Sequence, residues 1–200
     1  MEYTTYWNNY YSQEQIDFPS DFAQVARSYM SDGDKLIELG CGSGRDLSFF
    51  ANTGVSVVGL DTSDVAIKHI HETYNLTAAV HDFTLNPNIS TDHVYSRWTL
   101  HSVDSVGESN VLSWVTEALP IGGYFFVELR TTKDGLYGKG DHVGRNAYID
   151  THYRRFTEPY EFLAKLYEHG YDVVHLTHGQ GLSVMEDNDP YLMRVVAQRL

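Results

Sequence analysis

Leu36-Ile37-Glu38-Leu39-Gly40-Cys41-Gly42-Ser43-Gly44-Arg45-Asp46 joins an apolar run ending in an acid to three glycines at alternate positions. A helical stretch from Leu47 to Ala51 follows. That pattern predicts a strand, a tight turn and a helix start. A second apolar run, Val55 to Leu60, ends in Asp61, 21 residues after Gly40. Together they place a nucleoside: a glycine turn lets backbone approach the ligand, and an acid at the next strand tip suits ribose hydroxyls.

Outward from this unit, strands and helices alternate. Strands are expected at Lys35 to Leu39, Ser56 to Leu60, Leu76 to Val80, His93 to Ser96 and Tyr124 to Leu129. A closing pair, Tyr171 to Thr177 and Met193 to Ala197, is turned by Glu186 to Pro190. Helices are expected from Asp17 to Met30 (begun near Pro19-Ser20), from the Thr62-Ser63-Asp64 cap to about Tyr74, from Glu108 to Leu119, and from Glu158 to His169. Such alternation predicts an α/β chain with a mostly parallel sheet and helices on both faces. Ligands in these sheets bind beyond the carboxyl ends of the strands, where the strand order reverses. Residues 1–200 suit a single domain with a sizeable core. Tyr3, Tyr6, Trp7, Tyr10 and Tyr11 lie in a stretch too poor in aliphatics for a core strand. Residues 1–30 therefore form an aromatic arm and a helix, the arm either packed on the domain or covering the cofactor.

The glycine spacing narrows the ligand. A dinucleotide turn reads G-x-G-x-x-G and aims helix N–H groups at a pyrophosphate. Here the spacing is G-x-G-x-G, and Arg45 occupies the third slot of the dinucleotide pattern. Glu38, two residues before the first glycine, would repel a pyrophosphate but suits an ammonium or sulfonium. The implied ligand is a nucleoside with a cationic, amino-acid-like tail, S-adenosylmethionine.

Net charge is −13, which disfavours DNA or RNA as partner. Residues 130–155, however, hold six of the fourteen Lys and Arg against three acids, giving a +3 island on a remainder of −16. That contrast suggests a small anionic ligand. No stretch approaches the ~20 apolar residues of a membrane span, and the start lacks the regions of a signal peptide. The one cysteine, Cys41, allows no internal disulfide and agrees with a cytoplasmic location. Its position inside the glycine turn marks it as a small filler. The ten histidines show no metal-ligand spacing, so no metal is expected. A monomer or homodimer is expected.

Glu38-Leu39-Gly40-Cys41-Gly42-Ser43-Gly44 and Val58-Gly59-Leu60-Asp61 resemble the first two motifs of class I S-adenosylmethionine-dependent methyltransferases, and the later strand order fits over nearly the whole chain. Gly44-Arg45-Asp46 resembles the small-molecule enzymes of the tellurite-resistance and thiopurine type. A narrower likeness rests on Tyr95-Ser96-Arg97-Trp98-Thr99-Leu100-His101, Glu128-Leu129-Arg130, Lys133-Asp134-Gly135-Leu136-Tyr137-Gly138-Lys139-Gly140 and His152-Tyr153-Arg154-Arg155-Phe156. These segments look like bacterial methyltransferases of phosphonate and surface-polysaccharide pathways. The resemblance implies a Rossmann-like fold, with a seven-stranded, mostly parallel sheet and an antiparallel C-terminal strand. It implies cofactor contacts from Tyr10, Glu38, Gly40, Gly42 and Arg45, and from Asp61, Thr62, Asp82 and Phe83. Asp82 would accept from the adenine amino group, with Phe83 offering its N–H or ring face. A solvated Asp82 beside a core phenylalanine, and Asp61 as a helix-cap partner, are the plainer alternatives.

The acceptor side is expected from two segments. Arg97, Trp98 and His101 follow the fourth strand, beside the methionine tail, unless they are a buried arginine and a core tryptophan. Arg130 ends the fifth strand with a planar fork suited to phosphate or carboxylate. Lys133, Lys139, Arg154 and Arg155 could add charge from a glycine-rich loop, residues 130–156, that closes over a substrate or is simply a solvated loop. An anionic oxygen needs no base, whereas a hydroxyl or amine would need His101 or His152. The expected activity is O-methylation of a small phosphonate, phosphate or carboxylate. A non-catalytic S-adenosylmethionine-binding subunit is the alternative. An NAD-linked oxidoreductase on a similar sheet is opposed by the glycine spacing and Glu38.

Overall fold

The computed structural model describes residues 3–13, 18–184 and 188–200. Its centre is a seven-stranded sheet built from β1 (Lys35–Leu39), β2 (Ser56–Asp61), β3 (Ala78–Val80), β4 (His93–Arg97), β5 (Tyr124–Arg130), β9 (Tyr171–Gly179) and β10 (Leu192–Arg199). The order across the sheet is β3-β2-β1-β4-β5-β10-β9. β3, β2, β1, β4 and β5 run parallel, and β10 pairs antiparallel with both β5 and β9. Because β1 is flanked by β2 on one side and β4 on the other, the chain's direction of winding reverses there. That leaves a crevice beyond the tips of β1 and β4, and the glycine turn opens into it.

Both faces of the sheet are covered. One core packs Ile37, Leu39, Phe125 and Val127 against α5 (Ser105–Ala118) and α6 (Pro159–Glu168), through residues such as Leu112, Val115, Phe162 and Leu166. The other packs Leu36, Tyr95 and Phe126 against α2 (Asp21–Arg27), α3 (Arg45–Asn52) and α4 (Asp64–Tyr74). Successive strand residues point to opposite faces, so Glu38 lies on the side of Leu36. It is only 5% exposed.

Helix starts follow their caps. Ser20 accepts from Ala23 N–H, Ser63 from Ala66 N–H, and Asp104 from Gly107 N–H, each satisfying an orphan donor. Asp104 therefore starts α5 at Ser105, three residues before the expected Glu108. Ser20 starts α2 at Asp21; the expected start at Asp17 lies outside the described residues. The third strand is shorter than expected, because Asn75 ends α4 in the left-handed region (φ 53°) and pairing begins only at Ala78. Of the expected turn from Glu186 to Pro190, Glu186 and Asp187 lie outside the described residues.

Two segments differ in kind from their expectation. The aromatic N-terminal stretch, expected as an arm with no secondary structure assigned to it, is a helix, α1 (Tyr3–Tyr11). The basic segment is not a flexible loop: β6 (Asp141–Gly144), β7 (Ala147–Ile149) and β8 (Tyr153–Arg155) form a small antiparallel sheet. Glu108 of α5 anchors it, pairing with Arg155 of β8 and with Lys165 of α6. The Glu108 carboxylate is 1% exposed. Removing one partner of such a buried pair typically costs ~3–5 kcal/mol.

Candidate active site

The strand tips enclose a cavity of ≈ 300 Å³, within the range of small-ligand sites. Its floor is the glycine turn. Gly40 has φ +61°, and a Cβ there would lie 1.9 Å from Thr99 Cγ2, so no other residue fits. Gly42 has φ +52° and faces the Tyr11 ring, 2.5–2.8 Å from where a Cβ would stand. Its N–H donates to Asp61 Oδ2 at 3.0 Å, and Ser63 N–H donates to Oδ1 at 2.8 Å. Burial nonetheless leaves Asp61 with a raised pKa.

Beside the turn, Asp46 of α3 accepts from Ser20 N–H and Oγ–H (2.7 and 2.8 Å) and from Tyr95 O–H (3.0 Å). Glu38 has no such support. Its Oε2 is buried without a hydrogen-bond partner among the described residues. Burial first, and then the Asp46 carboxylate, hold its pKa well above the usual carboxylate range. A buried acid that lacks a donor, next to two further acids, fits a ligand carrying a positive charge.

From Arg97, which still feels the Glu38 and Asp46 charges, outward to β8 the lining is cationic. Arg97 at the tip of β4 pairs with fully buried Glu128 at 2.9 Å, and Arg130 at the tip of β5 pairs with Asp134 at 2.8 Å. Their guanidinium groups lie over the Trp98 ring, at 5.0 and 4.9 Å from its centroid. Arg154 of β8 also lines the cavity, with Thr151 Oγ1 at 3.5 Å and no carboxylate partner among the described residues. Burial and then Arg130 lower its pKa, as expected for a cation held away from water near another cation.

His101 and His152 both line this end. His101 is 3% exposed, and burial followed by Arg130, Arg154, His152 and Arg155 pushes its pKa well below the ordinary imidazole value. Partial burial, then Arg154 and Arg130, bring His152 to about 4. Neither imidazole is therefore a strong base at neutral pH. α1 closes the cavity: Tyr6 and Trp7 lie 4.6 and 5.3 Å from the His152 ring, while Asn8 bonds to Ser63 and Asp64 at the start of α4.

The cavity brings together Tyr10, Glu38, Gly40, Gly42, Arg45, Asp61, Thr62 and Phe83 with Arg97, His101, Arg130, His152 and Arg154. Four expected site residues lie elsewhere. Asp82 is exposed and accepts from Thr84 N–H and Oγ1–H, and Lys133 is exposed beside the Tyr191 ring. Lys139 sits in a separate shallow crevice with Asp150, and Arg155 is spent on Glu108. The cavity also contains Asp46, Ser102 and Asn188, which the sequence reading did not single out. Asp46 and Ser102 directly follow residues that were singled out, Arg45 and His101; Asn188 carries no such signal.

A methyltransferase-domain family matches residues 10–178. Among individual relatives, the mRNA cap guanine-N(7) methyltransferase of Saccharomyces cerevisiae is 30% identical over 49% of this chain. The alignment spans only 28% of that enzyme's length. The fold is similar to a SAM-dependent methyltransferase of Methanosarcina mazei, with TM-score 0.78, 16% identity, and coverage of 88% of this chain and 97% of that one. It is also similar to the glycopeptide N-methyltransferase MtfA in complex with S-adenosylmethionine, with TM-score 0.66, 17% identity, and coverage of 94% and 98%. At these identities the solved structures speak for the fold, while the family match covers most of the chain. This chain thus belongs to the class I S-adenosylmethionine-dependent methyltransferases, and S-adenosylmethionine is its cofactor.

Proposed function

We propose that this methyltransferase acts on a small anionic acceptor, methylating an oxygen of a phosphonate, phosphate or carboxylate. The observation that carries this is the polarity of the cavity. Its acids, Glu38, Asp46 and Asp61, stand together at the glycine turn, and Arg130 and Arg154 stand close to one another away from them. Arg97 lies between, within reach of Glu38 and Asp46 on one side and sharing the Trp98 ring with Arg130 on the other. A cationic tail belongs at the first end and an anion at the second.

When bound, the cofactor supplies a methyl group already activated on a sulfonium. Glu38 would hold its ammonium, Asp61 its ribose hydroxyls, and Tyr10, Thr62 and Phe83 would flank the nucleoside. Arg45 pairs with Asp46 at 3.4 Å and would keep that corner from being uniformly negative. α1 would exclude water once the ligands are in place. On the acceptor side, Arg130 is paired with Asp134 and Arg97 shares Glu128 with Arg194, so Arg154, with no carboxylate partner among the described residues, becomes the main counter-charge. Two expected cations, Lys133 and Lys139, would then serve solubility or the approach of an anion rather than contact.

Arg154→Ala should reduce turnover of the best anionic acceptor by roughly tenfold or more, the loss of one charge-assisted hydrogen bond. Adenosylhomocysteine affinity should be nearly unchanged. Lysine at 154 should rescue partly, because it lacks the planar fork. The acceptor screen should measure adenosylhomocysteine release across phosphonates, phosphosugars, carboxylates, thiols, amines and a guanine nucleotide, the last because of the yeast relative. Neutral alcohols or amines as best acceptors, insensitive to Arg154→Ala, would overturn the anionic assignment and spare the methyltransferase.

The turn itself is open to a second test. Valine at 42 must adopt a left-handed backbone, which costs about 1–2 kcal/mol, and must displace the Tyr11 ring. Gly42→Val should weaken adenosylhomocysteine binding about tenfold and lower the melting temperature. Normal binding by a folded valine variant would show that Tyr11 and the turn do not shape the cofactor site.

A further inference from the structure

We propose that the turn after β4 grips the acceptor's anionic oxygen with three uncharged donors, Trp98 Nε1–H, His101 Nε2–H and Ser102 Oγ–H. The acceptor then reacts as a preformed oxyanion and the protein supplies no base. This inference rests on the anionic acceptor proposed above and specifies how it is held.

Two of the three donors are orphans. Trp98 Nε1 and Ser102 Oγ are buried without a hydrogen-bond partner among the described residues, and both residues line the cavity. Buried polar groups in folded proteins are nearly always paired, so a pair of orphans on one short turn asks for a partner that binds there. The turn is also strained: Trp98 has φ +62°, a left-handed conformation unusual for a bulky side chain. It is held there by Trp98 N–H donating to Glu128 O at 2.8 Å and Ser102 N–H donating to Thr99 O at 2.8 Å. Two guanidinium groups lie over the indole ring. Its N–H edge is the polar feature left for a ligand.

His101 completes the set through its tautomer. Arg130 N–H points to His101 Nδ1 at a long 3.5 Å, so the neutral ring accepts there and carries its proton on Nε2. The charged and titratable groups around it are Arg130 of β5, Arg154 and Arg155 of β8, and His152 just before β8. All oppose a second proton. A ring with Nδ1 engaged and Nε2 protonated donates to a substrate and does not deprotonate it. His152 is pushed down to about 4 and faces Tyr6 and Trp7. Among the described residues, the carboxylates lining the cavity are Glu38, Asp46 and Asp61, beside the glycine turn, and Glu128 and Asp134 are committed to arginines.

An oxyanion balances without a base. One oxygen–carbon bond forms, the sulfur–carbon bond breaks, and its electron pair stays on sulfur, which leaves as a neutral thioether. No proton has to be placed. A neutral alcohol or an ammonium acceptor would leave a proton with no group among the described residues of the acceptor side suited to take it.

The test uses the protein in complex with adenosylhomocysteine and methylphosphonate as probe. Calorimetric titration should show methylphosphonate binding weakened about tenfold or more by Ser102→Ala and by Trp98→Phe, the scale of one hydrogen bond to a charged group. Adenosylhomocysteine affinity, the check on folding, should be unchanged in both. In ¹⁵N-edited spectra, the indole resonance missing from Trp98→Phe should shift when methylphosphonate binds. With an acceptor whose own pKa lies well below 6, kcat/KM should be flat from about pH 6 to 8.5. Binding that depends on Arg154 but is unchanged in both variants would sink this inference and leave the anionic acceptor standing. A titrating limb in that window, abolished by His101→Gln, would also overturn it, because His101 would then be the base. No binding of any anionic probe would instead sink the functional proposal beneath it.

Discussion

Asp61→Ala is expected to weaken adenosylhomocysteine binding by at least about 100-fold while the fold survives. A carboxylate has about four acceptor sites, and Gly42 N–H and Ser63 N–H occupy two. Asp61 lines the cavity, where hydrogen bonds from two ribose hydroxyls to a charged acceptor would each contribute about 1.5–3 kcal/mol. The loss compounds, because alanine also frees the Gly42 N–H and loosens the turn that the nucleoside leans on. Asp61→Asn, which keeps one oxygen, should lie between wild type and alanine. Isothermal calorimetry on the two folded variants decides the matter; wild-type affinity in Asp61→Ala would show that the ribose sits elsewhere.

Glu38→Gln should move stability and binding in opposite directions. The Glu38 carboxyl is buried and lacks a partner for Oε2 among the described residues; burial and the Asp46 and Asp61 charges outweigh the opposing pull of Arg97 and Arg45. Its pKa is therefore raised on folding. Below its usual value of 4.5 both folded and unfolded chains hold the proton, and the group is neutral to stability. As pH climbs above 4.5, the unfolded chain ionises first, so wild-type folding is increasingly penalised until the raised folded-state value is passed. Glutamine is similar in shape and carries no such penalty. The ligand-free variant should melt at least about 2 °C higher at pH 8, the shift that roughly 1 kcal/mol produces in a chain of this size. Near pH 4 it should match wild type. Adenosylhomocysteine affinity should meanwhile fall about tenfold to 100-fold with the ammonium's counter-charge gone. A variant that binds normally, or whose thermal gain is the same at both pH values, would show that Glu38 does not serve as a destabilised cation site.

Such a trade of stability for binding is characteristic of functional sites. The fold also redistributes the charge pattern of the linear chain. Two cations of the +3 island meet acids from outside it, Arg145 pairing with Glu161 and Arg155 with Glu108 from a helix 47 residues away, while Arg130 pairs with Asp134 inside it. Counting charges along a segment cannot register partners supplied by other segments. Arg154, not Arg130, is left without a carboxylate among the described residues.

Local sequence determined most of the main-sheet elements and the glycine-lined, acidic end of the cavity. The strand, the alternating glycines and the acid at the next strand tip lie within 24 residues, from Glu38 to Asp61, and the parallel β1–β2 pairing joins them directly. Steric limits on φ, strand alternation and helix capping all act over such short distances, so they are legible without tertiary information. Tertiary structure decided the rest. It turned the aromatic N-terminal stretch into a helix that packs on His152 and α4, and folded a glycine-rich segment into a small sheet clamped by Glu108. It also decided which arginines keep a free charge and which donors, Trp98 Nε1 and Ser102 Oγ, lose water without gaining a partner. The physical reason is common to these cases. Burial, ion pairing and desolvation depend on groups that arrive from distant parts of the chain, and their energies are set by the three-dimensional neighbourhood and not by residue type.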